Sequence, residues 1–177
     1  ASRTRHPLDA RVLARLAAQY AGEGAGKVVG FGLSNDERTG RTSEFSNAFQ
    51  IARRAGLNLV PHGGELLGPD SVRDVVNHLG PHRLGHGVRA GEDPELLKRL
   101  VDEGIAFEIC PASNVSLGVF HQPGAVPLRQ FVDAGAQIAL GADDPLLFRS
   151  RLVDQYATAR QVHGFTDAEL AQLGRDS

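Results

Sequence analysis

Apolar residues in this chain alternate between two spacings. Short continuous runs at 28–33, 57–62, 83–85, 105–110 and 137–141 are separated by stretches in which apolar residues recur every three to four positions. The runs read as buried strands and the stretches between them as amphipathic helices. The predicted helical faces are Val12, Leu13, Leu16, Ala17 and Tyr20 over 8–20; Phe45, Ala48, Phe49 and Ala52; Val72, Val75, Val76 and Leu79; Leu96, Leu97, Leu100 and Val101; and Leu128, Phe131 and Val132. A further helix is expected over 146–162. Pro69, the pair Asp93-Pro94 and the capping box Thr166-Asp167-Ala168-Glu169 mark helix starts, and Gly56, Gly80 and Gly104 mark stops. Strand-to-strand connections of this length allow only parallel pairing, so the chain is expected to be α/β with about five βα units.

In parallel α/β folds, barrel or open, ligands bind beyond the carboxyl ends of the strands. Every strand end here carries candidate chemistry: Asn35 and Asp36; His62 and Glu65; His86; Ser113 and Asn114; Asp143 and Asp144. The sharpest is Leu57-Asn58-Leu59-Val60-Pro61-His62-Gly63-Gly64-Glu65, an apolar run ending in an imidazole, two glycines and a carboxylate. Imidazole is the commonest zinc ligand, and a carboxylate three residues on can move protons beside a metal-activated water. Two adjacent carboxylates point in different directions, so one of Asp143 and Asp144 can ligate a metal while the other binds substrate. Structural alternatives stand beside each reading: Asp143-Asp144 as a helix cap, His86 as a core histidine, Ser113 and Asn114 as partners of loop backbone, Cys110 as a buried structural thiol. His6, His78, His82, His121 and His163 read as surface residues.

Composition narrows the class. A chain of 177 residues fits a single domain over 1–177, since domains average roughly 150 residues. A formal charge of −2 with both signs interspersed offers no basic stripe, so no nucleic-acid partner is expected. No apolar run approaches the about 20 residues of a membrane helix, and the N-terminus lacks a signal-peptide core, so no membrane partner is expected either. One cysteine precludes a disulfide within the chain, and the reading is a soluble, cytoplasmic protein. The absence of any methionine suggests that the chain starts inside its gene.

Four motifs together resemble the adenosine deaminase family of zinc-dependent aminohydrolases: Pro61-His62-Gly63-Gly64-Glu65, Gly85-His86-Gly87, Glu108-Ile109-Cys110-Pro111-Ala112-Ser113-Asn114 and Ala142-Asp143-Asp144-Pro145. They occur in the family's order and roughly its spacing. The resemblance implies a (β/α)₈ barrel with one Zn²⁺ per site, present here as a partial barrel. It implies His62 and Asp143 as metal ligands, Glu65 as the proton shuttle to the purine ring nitrogen and His86 as the residue that orients the attacking water. Asp144 would accept a hydrogen bond at the five-membered ring. The implied reaction is deamination of an adenosine-like 6-aminopurine nucleoside. Alternatives are free adenine or 6-aminodeoxyfutalosine as substrate, another amidohydrolase chemistry, or a non-catalytic fragment.

Departures from the family pattern are specific. Gly63 stands where adenosine deaminases typically have alanine, and Asn35 stands at the substrate-binding position where a glycine usually meets the purine. The family's His-x-His pair, which supplies two zinc ligands, is absent, and the first strand here resembles the family's fourth. Strands one to three and most of the last helix are therefore expected to lie outside this chain. Open sheet edges and apolar surface on Val28, Val29 and Ile138 would then favour self-association.

Overall fold

The first helix, α1 (Pro7–Gln19), forms where expected but buries a different face: Ala10 and Ala14 are buried, whereas Leu13, Leu16 and Tyr20 are about half exposed. The reason is close helix packing. Methyl side chains let α1 lie tightly against α2 (Ser46–Arg54), which presents Ala48, Phe49 and Ala52. Larger residues at 10 and 14 would hold the two helices apart.

The protein is described over residues 1–177 by a computed structural model and is organised as two compact units, Ala1–Gly85 and His86–Ser177. In the first unit, β1 (Gly30–Leu33) and β2 (Asn58–Gly63) pair in parallel, with Gly30 opposite Asn58 and Leu33 opposite Pro61. Along β2 burial alternates, so that Leu59, Pro61 and Gly63 pack inward while Val60 and His62 lie half-buried on the other face. α3 (Pro69–Leu79) packs on β2 through Val72, Val75 and Leu79, and ends at Gly80 in the left-handed conformation. Phe31 and Phe49 meet edge to face with centroids 5.2 Å apart. The first unit ends within the strand β3 (Arg83–His86), at Gly85. His82, exposed as expected, also exchanges hydrogen bonds with Leu59: its backbone N–H donates to the Leu59 carbonyl, and its Nδ1 accepts from the Leu59 N–H, both at 2.9 Å.

In the second unit, Asp93 caps α4 (Pro94–Asp102) as expected, accepting from Glu95 and Leu96 N–H at 3.1 and 3.0 Å. β4 (Ala106–Ile109) pairs in parallel with β5 (Ile138–Leu140), Phe107 lying opposite Ile138. Ile138, expected to be left bare, is fully buried. Between the strands run α5 (Pro111–Ser116) and α6 (Leu128–Asp133), whose Phe131 packs edge to face on Phe107 at 4.9 Å. Residues 111–116 thus form a short helix in place of the expected loop, opened by Pro111 at its first position.

The helix expected over 146–162 is broken into α7 (Pro145–Phe148) and α8 (Leu152–Gln161), with Arg149 between them at φ 50°. Gln155 explains the break. Almost fully buried, it donates to Ser150 Oγ at 2.6 Å and accepts from the Ala112 N–H at 3.1 Å, pinning the start of α8 to the start of α5. α9 (Asp167–Asp176) carries the expected capping box, with Glu169 N–H donating to Thr166 Oγ1 and Thr166 N–H donating to Glu169 Oε2. No helix is long and apolar enough to cross a membrane.

Candidate active site

In the first unit the site residues stand where β1 and β2 end. His62, the penultimate residue of β2, lies over Gly85: a Cβ built on Gly85 would fall 2.8 Å from His62 Nδ1. Only glycine there lets the imidazole pack so closely against β3. Gly63 is equally constrained, because a methyl group on it would approach Val75 Cγ2 to 2.6 Å. That accounts for glycine at the position where the family pattern has alanine: in this chain Val75 on α3 already fills the space.

Glu65 follows in the turn after β2, half-buried. The backbone of this turn is held by Glu37, a buried carboxylate that accepts from Gly64 N–H at 2.8 Å, from Leu67 N–H, and from Ser71 Oγ at 2.9 Å. Glu37 stood in the polar group after β1, but its role could not be read there, since its partners lie 27 to 34 residues further on. Asn35 adopts φ 73° and donates from Nδ2 to Ser2 Oγ at 2.6 Å. A left-handed position normally filled by glycine is one that asparagine tolerates better than most residues. Asp36 forms a local ion pair with Arg38 at 2.7 Å, and those hydrogen bonds bring its carboxyl down to about 2.

In the second unit His86, Ser113, Asn114 and Asp143 converge. His86 is buried, and its Nε2 lies 3.9 Å from Asp143 Oδ2. Ser113 Oγ donates to that same oxygen at 2.6 Å, and Asn114 Nδ2 lies 3.4 Å from His86 Nδ1. The contact joins the two side chains, and the imidazole tautomer sets which of them donates. Ser113 and Asn114 are completely buried. They orient the two candidate groups, where the sequence suggested that they satisfy loop backbone. Cys110 joins them: one ligand atom each of His86, Cys110 and Asp143 lie within 4.8 Å of one another. Asp144 sits at the N-cap of α7, where its side chain makes no capping hydrogen bond and stays exposed.

Strain marks the same residues. The non-glycine residues with left-handed backbone are Asn35, His86, Asp143 and Arg149, and the first three are candidate site residues. Such conformations cost on the order of 1 kcal/mol or more each and persist where surrounding structure over-determines them, commonly at functional sites.

These donors fit a zinc ion. Imidazole nitrogen and carboxylate oxygen are ligand types zinc takes, which His62 in the first unit and Asp143 in the second offer; Asp143 is the exposed member of its cluster, with His86 and Cys110 buried beside it.

The adenosine deaminase family model matches residues 1–177, the whole chain. The chain belongs to the adenosine deaminase family. A Streptomyces coelicolor relative that carries the name adenosine/adenine deaminase is 63% identical over 177 residues, covering 100% of this chain and 51% of its own length. An adenine deaminase of Rhizobium leguminosarum is 44% identical over 160 residues, covering 90% of this chain and 50% of its own. The chain thus spans about half the length of the curated relatives it matches. Among solved structures, the adenine deaminase of Arthrobacter aurescens superposes with a TM-score of 0.88 at 29% identity, over 99% of this chain and 53% of that one. A zinc-bound amidohydrolase from Burkholderia ambifaria superposes with a TM-score of 0.86 at 26% identity, over 99% of this chain and 48% of that one. The fold is accordingly that of the barrel amidohydrolases, here as a partial α/β barrel, and the family points to a metal.

Proposed function

We propose that the protein, at the full length of its relatives, is a zinc-dependent aminohydrolase that converts a 6-aminopurine to the 6-oxopurine and releases ammonia. One observation carries this reading: His86 Nε2 and Asp143 Oδ2 stand 3.9 Å apart, too far for a direct hydrogen bond but a spacing at which both can hold one water at about 2.8 Å. In the proposed assignment His62 and Asp143 are metal ligands. When bound, zinc supplies the Lewis acidity that makes water nucleophilic near neutral pH.

The protein's own groups do the rest. His86 aims the water at C6 of the purine and takes up charge as the water loses its proton. Glu65 gives a proton to the adjacent ring nitrogen, so that negative charge does not build up on the ring. Water oxygen bonds to C6, the C6–N bond breaks, the amino group leaves as ammonia with the first proton the water gave up, and the second water proton returns to Glu65 in place of the one it gave to the ring. Asp144 accepts from the five-membered ring, and Asn35 lines the substrate side.

An adenosine-like nucleoside is the proposed substrate. Free adenine is the second reading, favoured by relatives and a solved structure that carry the name adenine deaminase.

The test is ammonia release from adenosine and from adenine by the zinc-loaded protein, beside its Glu65→Gln variant. The expected result is activity that Glu65→Gln removes while zinc stays bound. Loss of zinc in that variant would show that Glu65 is a ligand and not a shuttle, and absence of ammonia release from either purine would overturn the reaction.

A further inference from the structure

We infer that Glu37 is a positioning residue for Glu65, acting through the turn on which Glu65 rides. The inference rests on the proton-shuttle reading of Glu65. Glu37 grips that turn on both sides. Gly64 N–H, the residue before Glu65, donates to Oε2 at 2.8 Å; Leu67 N–H, two residues after it, donates to Oε1; and Ser71 Oγ, in the first turn of α3, donates to Oε2 at 2.9 Å. The carboxylate is only 7% exposed. A buried charge is costly unless it is paired and hydrogen-bonded.

A buried positive charge comes from near the start of the chain. Arg3 is 3% exposed, donates from Nη1 to Thr42 Oγ1 at 3.2 Å and from Nη2 to the His62 carbonyl at 3.3 Å. Burial pulls the Arg3 pKa down, while the charges of Glu37 and Asp74 pull it back up. Two buried side chains of opposite charge therefore hold this turn, Arg3 at the His62 carbonyl and Glu37 at the Gly64 and Leu67 amides.

The chemistry of the grip calls for a carboxylate. Both oxygens of Glu37 receive N–H donors. A carboxamide has one accepting oxygen, so Glu37→Gln would set its NH₂ against either the Gly64 or the Leu67 N–H. A proton shuttle must stand within a few tenths of an ångström of its target atom, and partners that hold such groups are commonly worth about 10- to 100-fold in activity.

The experiment compares the zinc-loaded protein at family length with Glu37→Gln, Glu65→Gln and the double variant, reading kcat, KM, bound zinc and amide exchange at Gly64 and Leu67. Expected for Glu37→Gln is a kcat lower by about 10- to 100-fold, KM and zinc content nearly unchanged, faster exchange at both amides, and no further loss when added to Glu65→Gln. Unchanged kcat in Glu37→Gln, or a full additional loss in the Glu65→Gln background, would overturn the inference. If Glu37→Gln fails to fold, Ser71→Ala decides, since it removes one donor and leaves the charge. A several-fold fall in kcat alone supports the inference, and wild-type kcat refutes it. An active Glu65→Gln would instead refute the shuttle reading, a result independent of anything Glu37→Gln does.

Discussion

Ser113 donates a 2.6 Å hydrogen bond from Oγ to Oδ2 of Asp143, and that oxygen also faces Nε2 of His86 at 3.9 Å. A hydroxyl donating to a carboxylate fixes which lone pairs remain for other partners. Ser113→Ala leaves the helix intact, since Ser113 is buried in α5 and alanine is a better helix former. It should weaken zinc binding by about tenfold or more, measured by competition with a chromogenic chelator. Unaltered affinity would mean that Asp143 needs no orienting partner.

Gly63 and Val75 form a steric pair. Gly63→Ala would bring a methyl group to 2.6 Å from Val75 Cγ2, and overpacking of this kind costs about 1–3 kcal/mol. Combined with Val75→Ala, the cost should be smaller than the sum of the two single changes by about 1 kcal/mol. Urea unfolding of the four proteins gives the coupling directly, and strict additivity would remove the explanation for the family's alanine being glycine here.

Gly85 and His62 make a second pair, with a Cβ on Gly85 falling 2.8 Å from Nδ1 and 2.9 Å from Cγ of the ring. Gly85→Ala must push the imidazole aside. If His62 is a metal ligand, zinc affinity should fall by about tenfold or more while far-UV circular dichroism stays unchanged. Retention of full affinity would argue against His62 in the ligand set.

The C-terminal helix carries a pH dependence whose sign is fixed by its cap. Glu169 pairs with Arg129, which also stacks over the Phe165 ring at 3.8 Å, and it closes the Thr166 capping box. The Arg129 hydrogen bond, with help from Thr166, lowers its pKa from 4.5 to about 2. A pKa lower in the folded state than in the unfolded one stabilises the fold above the unfolded value and loses that effect as the pH falls through the folded one. The native protein should therefore melt above Glu169→Gln at neutral pH, and the gap should close between pH 4.5 and about 2. Thermal melts across that range test it. A gap that persists at the acid end would assign the effect to packing.

Much of the architecture was legible because its causes are local. Strand runs, proline starts, the Asp93 and Thr166 caps and the Gly80 stop each act within one turn of chain, and all recur in the structure. The candidate groups at the strand ends were legible too, because parallel α/β order brings strand termini and chemistry into the same register. The periodicity of α1 misled because it reports which residues are apolar and not which face a neighbour can approach. Ala10 and Ala14 are buried against α2, and the larger Leu13 and Leu16 stay outside.

What the sequence determined by itself was the alternation of elements, the positions of His62, Glu65, His86, Asp143 and Asp144 at their ends, and membership in a family whose motifs are short and contiguous. What only the tertiary structure decided was how those groups are held. Glu37 meets Gly64 across 27 residues, Ser113 meets Asp143 across 30, and Asn114 meets His86 across 28. Hydrogen bonds between residues so far apart leave no mark on local spacing or propensity, because each partner taken alone is an ordinary polar residue. Their meaning arises only when folding removes water from both and leaves each as the other's partner.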